Sequence, residues 1–206
     1  PEFRIEGQRL IKLLMDYGVS FFITTKGDPS FLLELPGFIS YEPKLIAITI
    51  EGTLEILELL SPRAPAFEAR VATVRKLSKL GIDTIIRFDP IFMHLLQALY
   101  GDSWLDKIAE LADIFGATGA KHIIASTGKL SKRRPQLAGY KGTNIWQRIY
   151  KVIHSQSPLA ARKFEQEYIY EAHWSGGGYR LRRNLRLDFH HKLLALVEAK
   201  GMTYAT

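Results

Sequence analysis

The feature that most constrains this chain is a repeated order of segments: a helical stretch, a short loop and a compact apolar run rich in β-branched residues. Four such runs cover residues 21–26, 45–51, 84–89 and 122–127, and a weaker fifth covers 202–206. Continuous apolar runs between helices are typical of a parallel sheet that is buried on both faces. We therefore predict an α/β fold with mainly parallel strands.

Polar side chains follow the apolar part of each run. In parallel sheets the carboxyl ends of the strands meet at one edge, and that edge carries the functional residues. The polar residues at these ends are Thr25, Lys26, Thr49, Glu51, Arg87, Asp89, Ser126 and Thr127. The pattern predicts a ligand site at this edge. Lys26 is a candidate for contacting a substrate or a phosphate, and the alternative for Lys26 is a solvated surface lysine.

Two helices have clear apolar faces in the sequence. The spacing predicts a helix over 6–17 whose core face carries Leu10, Leu13, Leu14 and Tyr17. A second helix is predicted over 66–80, with Arg70 mostly outside its apolar face. That face is formed by Phe67, Val71, Val74, Leu77 and Leu80.

Composition excludes several classes of protein. No apolar run in the 206 residues approaches the roughly 20 residues that span a membrane, and no secretory signal is visible, which predicts a cytoplasmic protein without membrane contact. The chain has no cysteine, so it has no disulfide and no thiolate ligand for a metal or an iron–sulfur cluster. The histidines are scattered, apart from the adjacent His190 and His191, and we predict no metal site.

Charge divides the chain into two unequal parts. Residues 1–120 carry 12 basic against 16 acidic side chains, whereas residues 121–206 carry 16 against 5. The strand–helix alternation also stops after residue 127, although helices over 143–154 and 158–170 remain predictable. We therefore predict a mildly acidic α/β unit over 1–127 and a basic, aromatic extension over 128–186. The final helix and strand, 187–206, return to the first unit.

Cations and aromatic rings alternate along the extension. Cations neutralise phosphates and rings stack on bases, so the pattern predicts contact with nucleic acid or another substrate. The alternative is a solvated surface whose aromatic residues form a small core, which the spacing of Trp146 and Tyr150 favours for those two. The candidate substrate-binding residues are Lys26, Lys132, Arg133, Arg134, Tyr179, Arg182 and Arg183.

Several short motifs occur in one order along the chain. They are Leu-Ser-Pro-Arg-Ala-Pro at 60–65, Phe-Glu-Ala-Arg at 67–70, Leu-Ser-Lys-Leu-Gly-Ile at 77–82, Arg-Phe-Asp-Pro-Ile at 87–91, Gly-Gly-Tyr at 177–179 and Gly-Met-Thr-Tyr-Ala-Thr at 201–206. With these motifs the chain resembles the radical S-adenosylmethionine enzymes of the spore photoproduct lyase-like branch. The resemblance covers nearly the whole chain, but only the later half of that family's partial (β/α) barrel.

The resemblance implies a fold and a cofactor site. It implies a partial (β/α) barrel with a basic helical extension, and strand ends that bind the methionine and ribose parts of S-adenosylmethionine. By position, Arg87 would pair with the cofactor carboxylate, Thr49 and Glu51 would meet amino or ribose groups, and Ser126 and Thr127 would lie near the adenine. The alternative for Arg87 is an ion pair at the strand end, with Asp89 or Glu51.

The chain also departs from that family, because the Cys-x-x-x-Cys-x-x-Cys loop that binds the four-iron four-sulfur cluster is absent. We interpret the chain as a fragment that contributes cofactor-binding strand ends and a basic module to an intact lyase-like enzyme, or as a relative without a cluster. The alternatives are a non-catalytic nucleic-acid-binding module and a (β/α)-barrel enzyme acting on a phosphorylated small molecule. A partial barrel would also expose the edge of its first strand, which predicts a homodimer or strand exchange.

Overall fold

The computed structural model describes residues 2–131, 145–172 and 177–206. The helices are α1 (Glu2–Asp16), α2 (Leu54–Leu60), α3 (Phe67–Lys79), α4 (Met93–Tyr100), α5 (Trp104–Gly116), α6 (Ile145–Gln156), α7 (Pro158–Glu167) and α8 (Arg183–Glu198). The strands are β1 (Phe21–Thr25), β2 (Lys44–Thr49), β3 (Thr84–Ile91), β4 (His122–Thr127), β5 (Leu130–Ser131), β6 (Tyr168–Glu171), β7 (Gly178–Leu181) and β8 (Thr203–Ala205). Short 3-10 helices cover Ser30–Glu34 and Gly101–Ser103.

The main sheet confirms the predicted fold class. Its five strands lie in the order β1-β2-β3-β4-β8, and every neighbouring pair is parallel. The first four strands are neighbours both in space and along the chain, with helices in the connections, which is the arrangement of a partial (β/α) barrel. The five apolar runs that alternate with helices in the sequence are thus the five strands.

Helices cover one face of this sheet more completely than the other. On β4, Ile123 and Ala125 are fully buried, whereas His122, Ile124 and Ser126 are only half-buried. On β1 the side chains alternate between half-buried and exposed. The prediction that the strands are buried on both faces is therefore wrong for β1 and β4, because the described residues leave one face of these strands partly open.

Helix α1 buries a different face from the predicted one. Its buried or part-buried apolar residues are Ile11, Leu14 and Met15, whereas Leu10 and Tyr17 are 56% and 78% exposed. Both sets have the i, i+3, i+4 spacing of a helix face, so periodicity could not choose between them. The expectation that Leu10, Leu13 and Tyr17 face the core is wrong.

The extension forms a second, smaller layer. Strands β5, β7 and β6 make an antiparallel sheet in that order, and α6 and α7 pack against α4 of the barrel. Sequence reasoning predicted both helices but not this sheet, because its strands are two to four residues long and have no repeated apolar run. Among the described residues, no helix combines the length and the apolarity that crossing a membrane requires.

Candidate functional site

The carboxyl ends of β2, β3 and β4 form one rim, as the sequence predicted. Thr49 lies opposite Arg87, and Arg87 lies opposite Ile124. Side chains alternate along a strand, so Ser126, two residues after Ile124, lies on the same face as Thr49 and Arg87. This is the partly open face of the sheet. We define the rim as the side chains on this face at the strand ends, namely Lys26, Thr49, Glu51, Arg87, Asp89 and Ser126.

Asp89 links two strands at the rim. Its carboxylate pairs with the Arg87 guanidinium and accepts a hydrogen bond of 2.6 Å from the Ser126 hydroxyl. The Arg87 side chain is 32% exposed, yet its Nε is buried and has no hydrogen-bond partner among the described residues. An unsatisfied N–H beside a partly open face is a donor that a bound anion could use.

Glu51 is the most buried carboxylate of the rim, with its side chain 1% exposed. It accepts hydrogen bonds from Arg70 Nη1 at 2.6 Å and from Ser61 Oγ at 2.5 Å, and it forms an ion pair with Lys26. Burial alone would raise the pKa of Glu51. The hydrogen bonds from Lys26 and Ser61, together with the charges of Lys26 and Arg70, outweigh burial and hold the pKa below its usual value.

Arg70 holds this part of the rim together, and sequence reasoning missed it. Its Nε donates to the Pro65 carbonyl at 2.7 Å, and its Nη1 donates to the Thr49 carbonyl at 2.9 Å as well as to Glu51. The side chain is 1% exposed. The signal was present in the sequence, because Arg70 lies three residues after Phe67 and so belongs on the apolar face of α3.

Lys26 and Thr127 differ in their relation to the rim. Lys26 is 44% exposed, and its ammonium donates to Ser61 Oγ at 2.8 Å in addition to pairing with Glu51. Its charge is therefore already paired within the chain. Thr127 is 7% exposed and lies on the opposite face of β4 from Ser126. The structure does not bring Thr127 together with the other rim side chains.

Of the predicted substrate-binding residues of the extension, the structure describes Tyr179, Arg182 and Arg183. The ring of Tyr179 packs against those of Trp146 and Tyr170. Arg182 is exposed and donates to the Gln166 carbonyl at 3.2 and 3.3 Å, and Arg183 is exposed. The other three predicted residues of the extension, Lys132, Arg133 and Arg134, lie outside the described residues.

A buried polar pair connects the barrel to the extension. His94 of α4 is 0% exposed, and its Nε2 lies 2.7 Å from Oε2 of Glu167 at the end of α7. The rings of Phe164 and Tyr168 pack edge-on against the imidazole. Burial lowers the pKa of His94, and the adjacent Glu167 offsets this only in part. Sequence reasoning gave the isolated histidines no role, since no spacing links His94 to a residue 73 positions away.

The donor set of the rim fits an amino-acid ligand better than a metal. In the described ranges, no three His, Asp, Glu or Cys side chains cluster as metal ligands. The guanidinium of Arg87 suits a carboxylate, and the hydroxyls of Thr49 and Ser126 suit amino and hydroxyl groups. The absence of cysteine from the sequence means that this set does not fit an iron–sulfur cluster.

Together, the sequential parallel strands define a partial (β/α) barrel with polar side chains at the carboxyl ends of its strands. Solved structures of spore photoproduct lyase share the fold. One, a mutant with bound AdoMet and dinucleoside spore photoproduct, superposes with a TM-score of 0.62 at 14% identity. Another, complexed with dinucleoside spore photoproduct, gives 0.62 at 15%. The resemblance predicted from the sequence is thus confirmed at the level of the fold.

The matches have a defined extent. Each covers 90% of this chain and 50% of the lyase chain, so the chain spans about half the length of the structures it resembles. No protein-family model matches the sequence, and a search of curated proteins finds no match. At 14–15% identity the comparison establishes the fold and leaves the roles of individual side chains as predictions.

Proposed function

We propose that this chain supplies the later half of a radical S-adenosylmethionine enzyme of the spore photoproduct lyase type, and that its rim binds the cofactor. The observation that carries the proposal is the buried Nε of Arg87, which has no hydrogen-bond partner in the part of the chain that the structure describes and lies on the face shared with Thr49 and Ser126. A match to a lyase whose structure contains AdoMet supports the same ligand class.

The rim residues would have distinct tasks. Arg87 would pair with the cofactor carboxylate through its Nε, while Asp89 keeps the guanidinium in place. Thr49 and Ser126 would bind the amino and ribose groups. Thr127, on the opposite face of β4, would contribute packing and would not contact the cofactor. Glu51 would fix Lys26 and Ser61 at the end of the rim rather than touch the cofactor, because its oxygens already have three partners.

In radical S-adenosylmethionine enzymes, a four-iron four-sulfur cluster reductively cleaves the cofactor, and the radical produced abstracts hydrogen from a substrate. This sequence has no thiolate for such a cluster. Polypeptide outside this sequence would therefore provide the cysteine ligands of the cluster. The task of this chain is to bind and orient the cofactor and to present the basic extension to the substrate.

Calorimetric titration of the chain with S-adenosylmethionine tests the proposal. Arg87→Gln removes a charge-assisted contact worth about 1.5–3 kcal/mol, so the dissociation constant should rise roughly 10- to 100-fold. Arg75→Gln is the matched control, because Arg75 is exposed on α3, and it should leave binding unchanged. An absence of saturable binding by the unaltered chain, or equal affinity for Arg87→Gln, would refute the cofactor role.

We also propose an alternative, a nucleic-acid-binding module without catalysis. It is favoured by the exposed cations of the extension, Arg148, Lys151, Arg162, Lys163, Arg182 and Arg183, and by the excess of 11 positive charges over residues 121–206. Because Tyr179 packs against Trp146 and Tyr170, the contact would rest on phosphates more than on base stacking.

Salt dependence separates the two proposals. Binding of a fluorescent single-stranded or duplex DNA should weaken by at least about tenfold between 50 and about 200 mM salt if several phosphates are neutralised. The double variant Arg182→Gln/Arg183→Gln should reduce this slope, whereas Arg75→Gln/Lys76→Gln on α3 should not. Binding that is insensitive to salt, or no binding at all, would exclude the electrostatic module while leaving the cofactor site untouched.

A further inference from the structure

Helices α6 and α7 of the extension pack against α4 of the barrel, and we call this packing the α4 contact. His94 of α4 is fully buried in it, and its Nε2 lies 2.7 Å from Oε2 of Glu167, the last residue of α7. The Glu167 side chain is 29% exposed, so solvent reaches the carboxylate but not the imidazole. Protonation of His94 would therefore place a positive charge inside the α4 contact.

The α4 contact satisfies one nitrogen of His94 and leaves the other without a partner. Nδ1 is buried and has no hydrogen-bond partner among the described residues. The adjacent hydroxyl of Tyr168 is also buried and unpartnered among those residues, so it does not bond to Nδ1. A neutral imidazole carries one N–H, which Nε2 can donate to Glu167. Protonation would add an N–H at Nδ1, and a buried N–H without an acceptor is costly.

Burial and nearby charges act on this ring in opposite directions. Burial is the largest cause and lowers the pKa of His94, Glu167 raises it, and Lys163 of α7 lowers it, which leaves the pKa below its usual value. In the part of the chain that the structure describes, these two side chains are the charged groups that act on His94. The α4 contact therefore contains the neutral ring at neutral pH and disfavours the charged one.

Ionisable groups on the neighbouring elements have other partners or lie at the surface. On α5, Lys107 pairs with Glu110 at 2.8 Å. On α8, Arg186 lies 3.5 Å from Glu171 of β6. The buried residues of α6 are apolar, and its His154 is exposed. None of these groups offers an acceptor to the unpartnered Nδ1.

The extension has internal contacts that do not depend on α4. Helices α6 and α7 pack against each other, α7 continues directly into β6, and β6 pairs with β7. Trp146 of α6 also packs against Phe164 of α7 and Tyr179 of β7. Proteins open locally in contiguous units of this kind, at free energies below that of global unfolding. Helices α6 and α7 can therefore separate from α4 while the main sheet remains paired.

We propose that His94 and Glu167 make the α4 contact sensitive to pH: neutral His94 holds α6 and α7 on the barrel, and protonation of His94 releases them. In the released state the imidazole is solvated and has its ordinary pKa of about 6.5. Proton uptake therefore favours release as the pH falls through this value. Release needs neither S-adenosylmethionine nor nucleic acid, so this proposal can fail without either proposed function.

Hydrogen exchange between about pH 7.5 and 5 tests the proposal, with each rate divided by the intrinsic rate of an unstructured peptide at the same pH. The amides of Ile149, Ile153 and Phe164 should be less protected than those of Ile46 and Ile48 in β2, because the extension opens without the sheet. The protection of the α6 and α7 amides should fall by up to about tenfold per pH unit below about 6.5.

Three variants assign the effect to the buried pair. His94→Gln should remove the pH dependence from α6 and α7. His154→Gln is the matched control, since His154 is an exposed histidine of the same two helices, and it should leave the pH dependence unchanged. Glu167→Gln retains the imidazole but removes the group that raises its pKa, so the fall in protection should continue to a lower pH than in the unaltered chain.

Equal protection of the α6 and β2 amides would overturn the proposal, because the extension and the sheet would then open as one unit. Constant protection of α6 and α7 across the pH range would also overturn it. If His94→Gln does not fold, Glu167→Gln decides the question, and a pH dependence identical to that of the unaltered chain would show that the pair does not control the α4 contact.

Discussion

Arg70 is the side chain whose loss should most damage the rim, and Arg70→Met measures its contribution. The guanidinium satisfies three acceptors, namely the Glu51 carboxylate and the carbonyls of Thr49 and Pro65. Breaking a buried ion pair costs about 3–5 kcal/mol, since one charge remains buried and uncompensated. Lys26 and Ser61 still contact Glu51, so we expect the low end of that range, about 3 kcal/mol.

Urea denaturation followed by circular dichroism gives the free energy of unfolding for each variant. A loss of about 3 kcal/mol is large against a typical total of roughly 5–15 kcal/mol. Arg75→Met, an exposed position on the same helix, should change the free energy of unfolding by less than about 0.5 kcal/mol. The pair of variants therefore separates the buried contacts from any effect on helix propensity.

A double-mutant cycle with Glu51→Gln tests the electrostatic reasoning itself. If the cost arises from an uncompensated charge, Arg70→Met should cost at least about 1 kcal/mol less in the Glu51→Gln background than alone. A coupling energy near zero, or a loss below about 1 kcal/mol for Arg70→Met alone, would refute the conclusion that the pair stabilises the rim.

Two further predictions concern the core. The pKa of His94 is lowered by burial despite the adjacent Glu167, and Lys163 lowers it further, so the unfolded chain takes up a proton before the folded chain does. The free energy of unfolding should therefore fall as the pH drops below about 6.5, measured from urea midpoints between about pH 7.5 and 5.5. A Cβ at Gly128 would overlap the Phe92 ring, so Gly128→Ala should cost about 1–3 kcal/mol in thermal unfolding.

Each of these predictions has a control. His94→Gln should remove part of the pH dependence, and an unchanged slope would show that His94 does not titrate as described. Gly27→Ala is the matched glycine variant, since its added Cβ would meet Thr25 Oγ1 at 3.4 Å, an ordinary contact distance. Equal melting temperatures for the two alanine variants would contradict the proposed overlap at Gly128.

The order of strands was predictable because each apolar run is bounded by turn residues and followed by helical periodicity. The rim followed from the same pattern, since parallel strands must present Thr49, Arg87 and Ser126 at one edge. The face of α1 was not predictable, because Ile11, Leu14 and Met15 have the same helical spacing as the predicted set of Leu10, Leu13, Leu14 and Tyr17. Only tertiary packing decides such a case.

Partners separated by long stretches of sequence escaped prediction altogether. The pairing of His94 with Glu167 spans 73 residues, and no local pattern encodes it. The antiparallel sheet of the extension was missed because β5 has only two residues and depends on β7 for its pairing. By contrast, the ion pair between Arg87 and Asp89, two residues apart on one strand face, was among the alternatives that the sequence itself allowed.

The packing of α4 against α6 and α7 connects the extension to the end of β3. Strand β3 ends at Ile91 and α4 begins at Met93, with only Phe92 between them. A ligand that displaces this strand end should therefore also shift α4 and the aromatic cluster in which the ring centroids of Trp146 and Phe164 lie 5.6 Å apart. The indole emission that Trp146→Phe removes would thus report occupancy of a site that the indole does not touch.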